Sequence, residues 1–164
     1  MADFARLVET ESRGLLAAVT AIVGDAHRAE EIVQDAFERA YRRWRRVSRL
    51  DRPGAWVRRV AINEAISQTR RRTSERKATV RLEALAGVDP TPVDPLQALE
   101  DEAVWAAVRA LPREQAVVIA LRYGADLGID EIAETVGSTA PAVKSLLHRA
   151  RAALRESAAL EPYA

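Results

Sequence analysis

Apolar residues recur at three- and four-residue steps along most of the chain, which is the period of an α-helix. The first helix is predicted to run from Phe4 to just before Gly24, with Asp3 as its N-cap. Asp25 is predicted to cap a second helix, and a third is predicted to begin near Pro53, because proline is tolerated in a first turn. The second helix has a continuous apolar stripe: Ala29, Ile32, Val33, Ala36, Phe37, Ala40, Tyr41 and Trp44.

The helical period breaks between residues 78 and 95, where Gly87 and three prolines interrupt it. This stretch is predicted to be a linker, with at most a short turn near Leu82–Leu85. Four more helices are predicted beyond it, at residues 96–111, 113–123, 129–136 and 140–155. Since no segment shows the two-residue alternation of a strand, the pattern predicts an all-α fold. Two small helical domains are expected, one on each side of this linker.

Composition narrows the possible chemistry. The chain has 164 residues, no Cys and two His that lie far apart, so disulfides, a metal site and cysteine nucleophiles are not expected. No nucleophile–base set or phosphate-binding loop is visible, and therefore no catalytic residues and no cofactor are predicted. No apolar run approaches the roughly 20 residues of a membrane span. The expectation is a cytoplasmic protein that is not an enzyme.

Charge is segregated along the chain although the net charge is only +1. Residues 42–77 carry 13 basic and 3 acidic side chains, whereas residues 78–139 carry 4 basic and 11 acidic ones. Concentrating cations in this way costs self-repulsion, which favours a polyanionic partner for the basic block. On the third helix its polar and basic face comprises Arg58, Arg59, Asn63, Ser67, Arg70 and Arg71. Trp44 and Trp56 flank the preceding loop, either as stacking platforms or, as their apolar positions favour, in the core.

An acidic ridge lies opposite the apolar stripe of the second helix. It comprises Glu31, Gln34, Asp35 and Glu38, which recur at three- and four-residue steps. Such a ridge is either ordinary solvated surface or a docking face for a basic partner.

The segment from Ile129 to Arg155 has the pattern of a helix-turn-helix. Gly137 supplies the turn and Thr139 is predicted to cap the second helix. At about 100° per residue, the apolar residues of that helix cluster on one side and its polar residues point outward. Base edges are within the expected reach of Ser145, His148 and Arg149, and phosphates within that of Lys144 and Arg151. The alternative is a helical hairpin with a basic face and no DNA contact.

Four stretches together resemble the extracytoplasmic-function branch of bacterial sigma-70 factors, most nearly its actinobacterial SigE-like subgroup. They are AEEIVQDAFERAYRRW (29–44), RPGAWVRRVAINEAISQTRRR (52–72), LPREQAVVIALRY (111–123) and IDEIAETVGSTAPAVKSLLHRARAALR (129–155). The resemblance implies a sigma-2 domain at residues 4–77, a linker at residues 78–95 and a sigma-4 domain at residues 96–160. It departs at Ser67, where many members have Asp, at Leu146, where many have Arg, and at Pro141 with Ala142, where Gly-Thr is common.

The resemblance also implies roles and partners. The acidic ridge would dock on the clamp helices of core RNA polymerase, and the sigma-4 domain on its flap tip. The Arg45–Arg52 loop and the basic face of the third helix would bind the −10 element of promoter DNA. The −35 element would be bound by Thr139, Lys144, Ser145, His148, Arg149 and Arg151. An anti-sigma factor is a further possible partner.

The predicted function is therefore a sigma factor that directs core RNA polymerase to promoters. Two other classes stay open on the sequence. A stand-alone helix-turn-helix regulator would use only the C-terminal half and would dimerise on paired half-sites. An interaction adaptor would bind protein and never DNA.

Overall fold

A computed structural model describes residues 2–83 and 99–157. Over these ranges the chain forms only helices, which confirms the predicted all-α fold. The elements are α1 Ala2–Val23, α2 Ala26–Arg42, α3 Trp44–Val47, α4 Pro53–Glu83, α5 Leu99–Ala110, α6 Arg113–Ile119, a π-helical turn Ala120–Gly124, α7 Ile129–Val136 and α8 Ala140–Glu156. Within the described ranges, every helix is too short or too polar to cross a bilayer.

The N-terminal unit packs α1 against both α2 and α4, and α2 against α4. Its centre holds Leu15, Val19, Ile32, Val57 and Ile62, all of them almost completely buried. Removing such side chains from water contributes about 1.5–3 kcal/mol each. The predicted apolar stripe of α2 is buried as far as Ala40, whereas Tyr41 is half exposed.

The helix ends correct three sequence predictions. Asp3 lies inside the first turn of α1 and does not cap it, while Asp25 does cap α2, since its Oδ1 accepts the Arg28 N–H at 3.2 Å. The predicted loop after α2 begins as the short helix α3. Helix α4 continues to Glu83, into the predicted linker and its Leu82–Leu85 turn, because no glycine or proline interrupts residues 55–86. Residues 84–98, which include the rest of that linker and the predicted start of the next helix, lie outside the described residues.

The C-terminal unit is centred on α8, which packs against α6 and α7. Val118, Leu121, Ile132, Val143 and Leu147 form its buried centre. The predicted helix 113–123 is present, but its last turn widens to a π-helix before the chain reverses.

The two units are in contact along α1 and the first half of α4. The π-helical turn packs on α1, and α7 packs on α4. Two glycines allow the backbones to meet: a Cβ on Gly124 would lie 3.1 Å from Cα of Ala18, and one on Gly14 would lie 3.2 Å from the carbonyl oxygen of Ala125. Buried apolar side chains of both units therefore form one continuous cluster.

Candidate nucleic-acid interface

Helix α8 separates its apolar and polar faces as the periodicity predicts. Val143, Leu147, Ala150 and Leu154 are buried against α6 and α7. Six polar residues predicted to contact DNA are all exposed: Thr139, Lys144, Ser145, His148, Arg149 and Arg151. The helix thus presents a continuous polar and cationic face, with small side chains beside it, that suits insertion into a major groove.

The turn before α8 is fixed by three residues. Gly137 ends α7 with φ 68°, a left-handed conformation that favours glycine. The hydroxyl of Thr139 accepts the Ala142 N–H at 3.4 Å, which confirms the predicted cap. Pro141 lies in the first turn, where its missing N–H leaves no intrahelical bond unmade. The sequence therefore sets the turn between α7 and α8.

Tyr123 joins this face although the sequence did not indicate it. Its side chain is 57% exposed at the end of the π-helical turn. The Arg151 Nε donates to the Tyr123 hydroxyl at 2.9 Å, and the guanidinium lies 5.8 Å from the ring centroid. The tyrosine holds one phosphate-binding candidate in place. In the sequence, Tyr123 stands out only by its position before Gly124. The helical period does not predict a π-helical turn and therefore does not place Tyr123 beside Arg151.

The acidic ridge of α2 is a separate exposed surface. Glu31, Gln34, Asp35 and Glu38 are all exposed, opposite the buried stripe that packs on α1 and α4. Glu38 pairs with Arg42, and Glu31 lies 3.6 Å from His27, in both cases one helical turn away. Exposed ion pairs of this kind contribute little to stability. These carboxylates therefore remain accessible to a cationic partner.

The basic face of α4 divides into two halves. Towards the C-terminal end, Asn63, Arg70 and Arg71 are exposed and Ser67 is half-buried. At the N-terminal end Arg58 is buried, and Arg59 is exposed but engaged by α7. The structure therefore presents only part of the predicted face to solvent.

Arg58 forms a buried ion pair that also bridges the two units. Its Nη1 donates to both carboxylate oxygens of Glu11 at 2.8 Å, and its Nε donates to the Thr135 hydroxyl at 3.3 Å. The Arg58 and Glu11 side chains are 7% and 15% exposed. Glu11 lies against Gly54, where a Cβ would collide with the carboxylate. In this arrangement Arg58 is not accessible to DNA. The predicted contact between Arg58 and DNA would require a different arrangement of the two units.

The two tryptophans near the basic loop serve the core. Trp44 packs edge-on against Phe4 with centroids 5.2 Å apart, and Trp56 is half-buried against the main apolar cluster. The favoured interpretation of these residues as core is thereby supported.

Over residues 2–83 and 99–157 the protein is thus helical and has two units, the second built around a helix-turn-helix. A family model for sigma-70 region 2 matches residues 7–75, and one for sigma-70 region 4 matches residues 101–154. The chain belongs to the sigma-70 family and, within it, to the extracytoplasmic-function branch of RNA polymerase sigma factors. The match to both regions does not favour a stand-alone helix-turn-helix regulator.

Relatives resemble the chain over most of its length. RNA polymerase sigma-E factor of Streptomyces antibioticus is 32% identical over 154 residues, which cover 94% of this chain and 83% of the relative. ECF RNA polymerase sigma factor SigW of Bacillus subtilis is 28% identical over 145 residues, covering 82% and 78%. The sigma factor RpoE of Bartonella quintana, solved with the anti-sigma factor NepR, superposes with a TM-score of 0.73 at 23% identity over 95% of this chain and 96% of RpoE. This last likeness supports the fold alone.

Proposed function

We propose that this sigma factor binds the −35 promoter element with α8 and the −10 element with α4. The observation that carries the proposal is the exposed polar face of α8, whose opposite side is fully committed to the core. Ser145, His148 and Arg149 are assigned to base edges. Thr139, Lys144 and Arg151 lie at the margins of that face and are assigned to the DNA backbone. We assign residues 96–160 to this domain.

The −10 element is assigned to the N-terminal domain, residues 4–77. Asn63, Arg70 and Arg71 form an exposed strip along α4, and Ser67 adds a hydroxyl to it. The Arg45–Arg52 segment, which begins within α3, continues the positive charge ahead of α4. A cationic surface of this length suits a melted strand, whose phosphates it would neutralise. Arg58 and Arg59 extend the same strip in an open arrangement of the domains.

Core RNA polymerase is the partner assigned to the acidic ridge of α2, through its clamp helices, and to the C-terminal domain, through its flap tip. The ridge is exposed and carries three carboxylates without a buried partner among the described residues. Net charge near zero predicts weak binding of the free chain to DNA, because the acidic blocks oppose the basic ones. Binding to polymerase would cover the acidic ridge and favour DNA contact by the basic faces.

The chain performs no covalent chemistry in this proposal and acts in the cytoplasm. An anti-sigma factor is a further proposed partner. A groove of about 1640 Å³ between the two units is lined by both of them. Six arginines are among its lining residues, Arg13, Arg28, Arg72, Arg76, Arg109 and Arg113, which would complement an acidic partner.

In vitro transcription with core polymerase tests the proposal. The wild-type chain is expected to produce run-off transcripts whose start sites map downstream of paired −35 and −10 elements. Glu31→Lys with Asp35→Lys should reduce polymerase capture and transcription together, because the ridge changes sign. Asp3→Lys with Glu9→Lys, two exposed carboxylates of α1, is the matched control. Transcripts that need no added chain, or a ridge variant that captures polymerase normally, would contradict the proposed roles.

A further inference from the structure

Tyr123 and Arg151 lie side by side at the edge of the polar face of α8, and Tyr123 has no role in the proposed function. The Arg151 Nε donates to the Tyr123 hydroxyl at 2.9 Å. Arg151 is exposed and the Tyr123 side chain is 57% exposed, so both polar groups are accessible to a ligand. A single hydrogen bond between two side chains contributes only modestly to stability. The contact therefore has little effect on folding.

This hydrogen bond leaves further donors available on both side chains. A phenol hydroxyl can accept one hydrogen bond and donate another, and here it accepts from Arg151. The guanidinium has further N–H donors on its two Nη atoms. Within residues 2–83 and 99–157, the hydroxyl proton and these Nη donors have no hydrogen-bond partner. A phosphate group, which offers several acceptor oxygens and a negative charge, would satisfy both side chains at once.

Arg151 lies on a flank of α8 and not on the part of the face assigned to base edges. It follows Lys144 by seven residues, which places both cations on the same flank about 10.5 Å apart along the helix. Ser145 is turned about 120° away from Arg151 around the helix axis. Groups at the margin of a recognition helix contact the DNA backbone, whereas those at its centre contact bases. The position of the pair thus favours a phosphate over a base edge.

The backbone behind Tyr123 is held by two hydrogen bonds. The Ala125 N–H donates to the Ala120 carbonyl at 3.3 Å and closes the π-helical turn. The Arg122 Nη1 donates to the Leu127 carbonyl at 2.9 Å and fixes the segment that follows. Short π-helical segments occur frequently at functional sites. Because the turn is already ordered, a ligand of the tyrosine hydroxyl would bind with a smaller entropic cost.

We infer that Tyr123 and Arg151 together bind one phosphate group of the −35 element. The Tyr123 hydroxyl donates to one phosphate oxygen, and the Nη atoms of Arg151 donate to another. The inference rests on the proposed binding of the −35 element by α8, and it adds Tyr123 to the DNA-binding residues. Every base pair carries the same phosphates, so this contact contributes affinity and register and no sequence preference.

Promoter duplexes with one uncharged methylphosphonate, placed at successive backbone positions, test the inference. They are bound to holoenzyme reconstituted from core polymerase and this chain. At one position in the −35 element, the methylphosphonate should weaken binding of the wild type at least about 10-fold. At that position it should weaken Tyr123→Phe and Arg151→Ala at least about 3-fold less, because part of the contact is already lost. Tyr41→Phe, which removes the hydroxyl of another exposed tyrosine, is the control and should match the wild type.

The position of the effect separates phosphate binding from a merely structural role of Tyr123. A displaced α8 would change the response at every phosphate, whereas loss of this contact changes it at one. Tyr123→Phe with the wild-type response at all positions, or variants that differ from the wild type at two different phosphates, would overturn the inference. The proposed role of α8 would then still stand on its own test.

The same series distinguishes failure of the proposed function. One shared phosphate outside the −35 element would support the phosphate-binding pair and contradict only the assignment of α8 to that element. A wild type that responds at no position would overturn the inference. Transcription from templates with intact and scrambled −35 elements would then test the proposed function separately.

Discussion

Helices α8 and α4 both carry a cationic face with the periodicity of a DNA-binding surface, yet the fold treats the two faces differently. Every polar residue assigned to DNA on α8 is exposed, because the helix packs with one side only. On α4 the face is split, since its first turns lie where α1 and α7 converge and its later turns do not. A DNA-binding face that is predicted from the periodicity of a single helix is therefore a reliable prediction only where no second unit packs on that face.

We expect the greatest loss of function from substitutions in the exposed half of α4. Arg70→Glu with Arg71→Glu should abolish promoter opening, because charge-assisted hydrogen bonds contribute about 1.5–3 kcal/mol each, which for two contacts is roughly 100- to 10,000-fold. Permanganate reactivity of the −10 region with core polymerase measures it. Arg6→Glu with Arg13→Glu, on exposed positions of α1, is the control. Unchanged promoter opening would favour the adaptor hypothesis. It would also mean that the cationic face of α4 has no DNA-binding role to compare with that of α8.

A second pair of substitutions tests whether the two units share one hydrophobic core. Leu147→Ala in α8 and Ile62→Ala in α4 each truncate a side chain that is 2% exposed. Each should cost about 2–5 kcal/mol in the free energy of unfolding, from lost burial and a residual cavity. Because the apolar cluster crosses the interface, both variants should shift the same transition in chemical denaturation. Leu146→Ala, at a half-buried site, is the control and should lower the free energy of unfolding by less. Two unfolding transitions that respond separately to the two variants would indicate units that fold independently.

A smaller effect tests the exposed face of α8. Arg149→Ala should reduce transcription from promoters with an intact −35 element by roughly 5- to 150-fold. This corresponds to the loss of about 1–3 kcal/mol of binding free energy from one base contact. The loss should shrink on templates whose −35 element is scrambled, since no specific contact remains to be removed. Arg155→Ala, an exposed arginine in the last turn of the same helix, is the control. Equal losses on both templates would assign Arg149 to phosphates and not to bases.

The smallest effect concerns the turn that aims α8. Thr139→Ala removes the cap on Ala142 N–H and should lower the free energy of unfolding by about 1 kcal/mol. Thr139→Ser should restore most of it, because the hydroxyl is retained. Thermal or denaturant unfolding measures both variants. If both Thr139→Ala and Thr139→Ser lose transcription while stability is unchanged, Thr139 does not act as a helix cap. It would instead contact DNA through its methyl group.

The amino-acid sequence is sufficient to predict the all-α fold, the buried side of α8, the Asp25 and Thr139 caps and the exposed acidic ridge. Each follows from interactions within one helix or one turn, where periodicity and capping chemistry act over a few residues. The length of α4 was misjudged because a gradual change in composition does not end a helix, whereas a glycine or proline does.

The partners of Arg58, Arg59 and Tyr123 depend instead on how distant segments pack together. The partners of the two arginines come from Glu11 and from α7, and the Arg58–Thr135 pair spans 77 positions in the sequence. Tyr123 meets Arg151 through a π-helical turn that changes the helical register. A cation on a helix face looks the same in sequence whether water, a carboxylate or a phosphate will face it, and the choice is made by packing between distant segments.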